Sequence, residues 1–332
     1  MTRRAPCRML PGMSIVTTNN AKAFPQEAAA ASLLVEQAAS AAGLQAQITQ
    51  LFRFVPDNRI ILRGTLAQQD AVFRMPLSAA SRKQITREWA ELNRTHPYMS
   101  RGPCQVACPL HFDEVSGLMV ISHIPGTPLM KHLWTLNPED RAPVYAHAGD
   151  WLAAYTQPSQ STRQANVRHW LIRARDAAAK QPHPALAEVE TRVFRKMRHL
   201  SRQIGGHDWR VSIPHGDFHP NNLILNGQIL TGIDTGGSSV APIYKDMARS
   251  LTHMARRGLF FGQARKFGVD ALAFDALAKA MQLTAPEQEL YLPYLICFET
   301  LFRVEHPQMP QHRVEHGREM AKSLLRDLRQ IT

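Results

Sequence analysis

The chain has 332 residues, with 39 Lys and Arg against 27 Asp and Glu, a formal net charge of +12 with histidine neutral. At 44% hydrophobic and 20% charged residues, with 22 Pro and 18 Gly, the composition is that of a folded globular protein, which excludes disordered and collagen-like chains. Four cysteines in this length exclude a disulfide framework and point to reduced thiols in a cytoplasmic setting.

In chain order, the start from Met1 to Val16 is basic, but Pro11 and Gly12 interrupt it before an apolar run forms, so the h-region of a signal peptide is lacking. Gln26–Ala42 is Ala-rich with Leu33 and Leu34 at helical spacing, and Gly43 supplies the stop. Two β-favouring runs follow, Gln47–Val55 and Arg59–Leu66, joined by the turn Pro56-Asp57-Asn58, and then a third, Asp70–Met75. Ser81–Arg94 is an amphipathic helix with Ile85, Trp89 and Leu92 on one stripe. Leu118–Ile124 is an apolar strand that ends at Pro125-Gly126. Residues 1–124 therefore read as an α+β lobe, and residues 125–332 as a second, larger, mainly helical one.

In that second part, Asn137-Pro138-Glu139-Asp140 opens a helix to about Thr156, which Pro143 kinks or restarts. Asn166–Lys180 and Ala185–Ile204 are further helices, the latter stopped by Gly205-Gly206. A hairpin at Leu223–Asp234 interrupts the helical pattern, with Asn226-Gly227 as its type I′ turn. With Leu225 and Gln228 flanking the turn, Asn222 falls opposite Thr231, and Asp217, Asn222 and Asp234 gather at the open end of the ribbon. Two carboxylates and an amide on an apolar ribbon call for a cation. An all-oxygen set suits Mg²⁺ held together with substrate phosphates.

The spacing His215-Gly216-Asp217, four residues, Asn222, then an Asp after a hairpin, matches the arrangement of catalytic and metal-binding residues in kinases. The segment His-Gly-Asp-Phe-His-Pro-Asn-Asn-Leu resembles the catalytic loop of the aminoglycoside phosphotransferase and choline kinase-like family. Ile233-Asp234 and the later Pro242-Ile-Tyr-Lys-Asp246-Met-Ala are similar to two further segments of that family. The resemblance implies a bilobal protein-kinase-like fold of the α+β class and an ATP-dependent kinase, using ATP or another nucleoside triphosphate with Mg²⁺. Its partner would be a small molecule bearing a hydroxyl.

Carried over residue by residue, the resemblance implies that Asp217 orients the acceptor hydroxyl and accepts its proton. Asn222 and Asp234 hold the metal, Arg74 stands where protein kinases have Lys and grips the phosphates, and Glu88 on the following helix pairs with it. The backbone of the hinge, Ser122 and Ile124, holds the adenine edge, while His215 and Asp246 shape the site. Glu91, three residues beyond Glu88, is a rival for its place.

Three departures stand out: no Gly-rich loop between the first strands, Arg74 for Lys, and Thr235 where an aromatic residue or Gly follows the metal-binding Asp. Arg74 and Thr235 support an alternative reading as a nucleotide-binding pseudokinase that works as a scaffold. His215 and His219 share a zinc-like spacing, but Pro220 and the short intervening loop do not suit the helix that such a pair needs. Cys104, Cys108 and His111 lack a fourth ligand and read as idle thiols, and His306, His312 and His316 read as a surface cluster.

No run of roughly 18 apolar residues occurs, so no transmembrane segment is expected; peripheral contact with a membrane stays open. The positive charge is spread along the chain without a zinc finger, an aromatic RNA-binding signature or a heptad-linked basic region, so no nucleic-acid partner is expected. A charge of +12 disfavours polycationic acceptors by long-range repulsion and favours a sugar, a phosphorylated metabolite or a saccharide on an anionic surface. The C-terminal third nevertheless offers Glu287, Glu289, Tyr291, Tyr294 and Glu299 as an acidic or aromatic wall.

Overall fold

The computed structural model describes residues 24–237 and 239–330, so the basic start of the chain lies outside the described residues. The described residues divide into two compact units, 24–128 with 223–237, and 129–222 with 239–330.

In the first unit, α1 (Pro25–Ala41) starts on a proline at its first turn, where no amide donor is lost, and is followed by Gly43 at φ +67. It packs on a five-stranded antiparallel sheet. The strands, in chain order, are β1 (Ala46–Val55), β2 (Arg59–Leu66), β3 (Gln69–Pro76), β5 (Pro109–Phe112) and β6 (Met119–Ser122), arranged β1-β2-β3-β6-β5. The buried face of α1 is Ala28, Ala31, Val35, Ala38 and Ala39, whereas Leu33 and Leu34 are exposed. The expected leucine stripe is thus on the solvent side, and the small residues are the ones that let helix and sheet approach.

Side chains alternate between sheet faces. Phe73 accordingly joins Phe54, Ile60, Leu62 and Val120 in the core beneath α1. Arg74 turns the other way, toward α2 (Ala79–Thr95), which packs on β3. Helix α2 is opened by a capping box in which Ser78 and Ser81 exchange side-chain and backbone hydrogen bonds. Its buried residues are Ile85, Glu88, Glu91 and Leu92, while Trp89 is half-buried and stacks on Phe112.

The hairpin that sequence patterning assigned to the second lobe belongs to the first unit. The reason is pairing. Strands β10 (Leu223–Asn226) and β11 (Ile229–Gly232) form a sheet with β4 (Cys104–Val106) and β7 (Thr127–Pro128), in the order β4-β11-β10-β7. The register also differs from expectation. Asn226 pairs with Ile229 and Leu223 with Gly232, so the two-residue loop is Gly227-Gln228 rather than Asn226-Gly227, and Thr231 faces Ile224. Gly227 alone in this turn takes positive φ, +57, which is what the first central position of a type II′ turn requires. This register buries both Leu223 and Leu230.

The second unit is mostly helical, from α3 (Leu129–Thr135) and α4 (Pro138–Thr156) to α5 (Val167–Ala178), α6 (Pro184–Ile204), α7 (Tyr244–Ala255), α8 (Ala271–Ala280), α9 (Leu292–Phe302) and α10 (Gln311–Asp327). A small sheet, β12-β9-β8, is made of β8 (Ser161–Gln164), β9 (Asp208–Ser212) and β12 (Ala241–Pro242). Helix α4 runs through Pro143 without a restart. Helix α9, apolar but for Glu299 and Thr300, is buried on all sides from Leu292 to Leu301, and α5, α6 and α7 pack around it.

Among the described residues, no helix is long and apolar enough to cross a membrane. One position tests the first unit. Gly126 sits at φ +138 with the place of a Cβ only 2.4 Å from the Leu225 carbonyl oxygen. Gly126→Ala is expected to destabilise the protein by about 2 kcal/mol or more, combining left-handed strain and a backbone clash, read by urea denaturation.

Candidate active site

The loop from Ile213 to Asn222 carries the chemistry in the second unit. Backbone amides inside a protein must be paired, and here a buried carboxylate does it. Asp246 on the first turn of α7 accepts from the His215 N–H (2.6 Å) and the Gly216 N–H (3.2 Å), while Lys245 Nζ donates to the Gly216 carbonyl at 3.1 Å. Gly216 takes φ +92, the conformation that lets the chain turn over the carboxylate. His215 is fully buried against Trp151, Tyr155 and Phe218, and its Nδ1 lies 3.4 Å from the Asp217 amide. At the far end of the loop, the Asn222 side-chain Nδ2 donates to the Asp217 carbonyl at 3.0 Å, which leaves Oδ1 as the amide's acceptor atom.

Asp217 is the member of this loop that reaches outward, its side chain 45% exposed. It is not alone. Its Oδ1 accepts from Arg249 Nε at 2.8 Å and from Arg303 Nη2 at 3.2 Å, and His219 Nε2 lies 3.4 Å from Oδ2. Burial pushes this carboxyl up, but the His219 hydrogen bond and the Arg249 charge outweigh it and hold the group well below the usual carboxylate range. Asp217 therefore stays ionised at every ordinary pH. It contributes stability above the normal carboxylate pKa, and this is lost only in strong acid.

Sequence reasoning missed both arginines. Arg249 had a signal, because it lies one turn beyond Asp246 on the same helix face. Arg303 had none: it stands at the C-cap of α9, and only the packing of α9 on α7 brings it here. Its neighbour Arg256 closes that helix end, donating to the carbonyls of Thr300 and Arg303 (2.6 Å each) and to Glu305 at 2.5 Å.

The first unit holds the other expected group. Arg74 is 3% exposed and forms an ion pair with Glu88. Glu91, the rival, is spent on Arg94. Asp234 also reaches Arg74, its Oδ1 lying 2.7 Å from Nη2. Asp234 sits at φ +58, an unusual conformation for a residue other than glycine, and Thr235 beside it is fully buried. Burial works against the Arg74 charge, yet Asp234 and Glu88 outweigh it and keep the guanidinium charged. Burial pushes the Glu88 carboxyl up to about 7, with Arg74 pulling the other way.

The hinge residues differ in what they offer. The Ser122 N–H donates to the Cys108 carbonyl and its hydroxyl accepts from the Cys108 N–H, each at 2.9 Å. Ser122 therefore has no amide to give a ligand, whereas Ile124 lies beyond the last pair of β6 with β3, Ala71 with Ser122. Between β1 and β2 the chain turns tightly at Pro56-Asp57-Asn58, with Asp57 at φ +53.

Three members of the acidic wall suggested by sequence are spent internally, while Glu289 is exposed. Glu287 is paired with Arg210 at 2.6 Å and accepts from Tyr244, Glu299 is fully buried beside Arg303, and the Tyr294 hydroxyl donates to the Val167 carbonyl. Among the described residues, no group of three or more His, Cys, Asp or Glu is placed to hold a metal ion, which leaves the His215–His219 and Cys104–Cys108–His111 pairings without support.

Residues 19–281 match the model of the phosphotransferase enzyme family. The chain belongs to this family. No curated protein matches it. The family's fold recurs in solved structures at low identity: a choline/ethanolamine kinase family protein from Mesorhizobium loti (14% identity, 90% of this chain and 99% of that one, TM-score 0.57), and amicoumacin kinase hAmiN in complex with AMP-PNP, Ca²⁺ and Ami (13%, 95% and 99%, 0.57). A third is aminoglycoside 2′-phosphotransferase-IIIa in its GDP complex (13%, 91% and 99%, 0.59). The phosphotransferase thus has the bilobal protein-kinase-like fold, a small β-rich part and a larger helical part.

Two buried acids give its stability a pH signature. Glu88 and Glu190 are each pushed up to about 7 by burial, from an ordinary value of 4.5. Their folded-state pKa lies above the unfolded one, so between these values the folded chain binds more protons and stability falls as pH rises. Glu88→Gln is expected to flatten this fall without abolishing it, read as the slope of unfolding free energy from about pH 5 to about pH 7. Asp246→Ala, which leaves the two loop amides unpaired, is expected to cost about 1–3 kcal/mol in urea denaturation.

Proposed function

We propose that this phosphotransferase moves the γ-phosphoryl group of ATP, or of another nucleoside triphosphate, to a hydroxyl of a small molecule. The observation that carries the reading is Asp217: an ionised, half-exposed carboxylate on a loop whose backbone is pinned from behind by Asp246. Phosphoryl transfer through a loose transition state needs positioning and charge stabilisation more than a strong base. A carboxylate with a strongly depressed pKa suits that demand. It accepts a hydrogen bond from the acceptor hydroxyl and aims the hydroxyl oxygen at the phosphorus, and the hydroxyl proton passes to Asp217 late, as the new P–O bond forms and the bond to the nucleoside diphosphate breaks.

Arg74, held by Glu88, supplies a fixed positive charge for the nucleotide phosphates, and the Ile124 backbone serves the base. The Asn222 Oδ1 and the Asp234 carboxylate are each an oxygen donor of the kind Mg²⁺ takes and would hold the ion, which would supply neutralisation of phosphate charge.

A second reading has its own observation. The Arg74–Asp234 ion pair sets a guanidinium against a metal-binding carboxylate, which suits a protein that binds nucleotide without turning it over. Nucleotide consumption over a library of hydroxylated acceptors separates the two. For the kinase, Asp217→Asn is expected to lower kcat by about 10²- to 10⁴-fold with nucleotide affinity unchanged. Chelation of divalent ions should stop turnover. Nucleotide binding without turnover on any acceptor establishes the second reading instead.

A further inference from the structure

The surroundings of Asp217 carry more charge than the proposed chemistry uses. Arg249 and Arg303 both bind its Oδ1, and a further arginine, Arg257, follows just past the end of α7. His219, beside Asp217, stacks on His253 with ring centroids 4.0 Å apart. The His253 carbonyl in turn accepts from Arg257 Nη1 at 3.1 Å. Arg257 is half-buried and has no carboxylate within ion-pair distance among the described residues. Arg313, on the first turn of α10 where that helix meets α7, has a buried Nε with no hydrogen-bond partner.

Of the nearby acids, Glu305 is paired with Arg256 and Glu299 with Arg303, which leaves Arg257 and Arg313 without a carboxylate in ion-pair distance among the described residues. Burial pushes the Arg257 guanidinium down to about 10, and the Arg313 and Arg249 charges push the same way while only Glu305 among its carboxylate neighbours opposes them. Cations held together and partly out of water, with too few anions among them, are unfavourable by themselves and become favourable when an anion enters.

We propose that Arg249, Arg257, Arg303 and Arg313 form an anion subsite beside Asp217, so that the phosphoryl acceptor is a hydroxyl compound that also carries a phosphate or carboxylate group. This rests on the phosphotransferase reading above and adds the class of acceptor. The planar forks of the guanidinium groups match both anions, and the more exposed Arg303, 35% exposed against 12% for Arg249, can exchange Asp217 for the incoming anion. An aminated or polycationic acceptor meets the same arginines as a repulsive wall.

The test uses the full-length protein saturated with AMP-PNP, so that the nucleotide site is filled, and inorganic phosphate as probe. Phosphate is expected to raise the Tm of the wild type. Arg257→Gln and Arg313→Gln should lose most of that rise, Arg257→Lys should keep part of it, and Arg192→Gln, in a separate basic groove between α6 and α10, should keep all of it. Without phosphate, Arg257→Gln is expected to be at least as stable as the wild type, because a repelled charge has been removed; a purely structural arginine would give the opposite result.

The second arm measures phosphoryl transfer to matched neutral, aminated, phosphorylated and carboxylated sugars, with phosphorylated against carboxylated members deciding which anion is used. Anionic members should lead in kcat/KM by at least tenfold, and Arg257→Gln should erase the lead by raising KM. Phosphate that stabilises wild type and Arg257→Gln equally, or neutral or aminated sugars that react as well as anionic ones, overturns the subsite and leaves the phosphotransferase reading standing. Phosphate stabilisation lost in Arg257→Gln, with no transfer to any sugar, leaves the subsite standing and counts against phosphoryl transfer.

Discussion

The arrangement in the second unit depends on one buried carboxylate. Asp246 takes the amide hydrogens of His215 and Gly216, and a loop that would otherwise carry unpaired backbone is fixed just where Asp217 leaves it. The aromatic packing of His215 against Trp151, Tyr155 and Phe218 closes the loop from behind, and Asn222 closes it at its end. With its backbone spoken for on all these sides, Asp217 holds its carboxylate outward without needing a partner of its own to position it.

Partners are nonetheless present. The proposed phosphoryl transfer asks for an anionic group at Asp217, and placing two guanidinium groups on it lowers its basicity while keeping its charge. The same balance appears in the first unit, where buried Arg74 is held by Glu88 and Asp234 together. In both units an acid with a proposed catalytic or metal-binding role is in contact with arginine, so each depends on ligand charge to redistribute those contacts.

Much of the fold was legible in local patterning. The first helix, the three leading strands and the helix of Glu88 appear within a few residues of where periodicity, turn residues and glycine stops put them. The turn of the hairpin was misplaced by one residue because Asn226-Gly227 is a strong local signal. The pairs formed in the sheet, Asn226 with Ile229 and Leu223 with Gly232, put the loop at Gly227-Gln228. The helical face of α1 was misread for a related reason: large leucines look like core, but the tight space over the sheet admits alanine and valine.

The sequence by itself determined the order of elements and the spacing of Asp217, Asn222 and Asp234, since these follow from short-range periodicity and from a motif contiguous enough to be recognised, whereas the pairing of Arg74 with Glu88 was implied by the family resemblance, with Glu91 as a rival. Tertiary structure alone decided that the hairpin pairs with strands β4 and β7, that Glu287 and Glu299 are spent on Arg210 and Arg303, and that Arg303 meets Asp217 across 86 positions of chain. The physical reason is range. Propensity and turn chemistry act between neighbours, whereas charge compensation is set by whichever side chains packing brings within a few ångströms, and packing belongs to the folded chain as a whole.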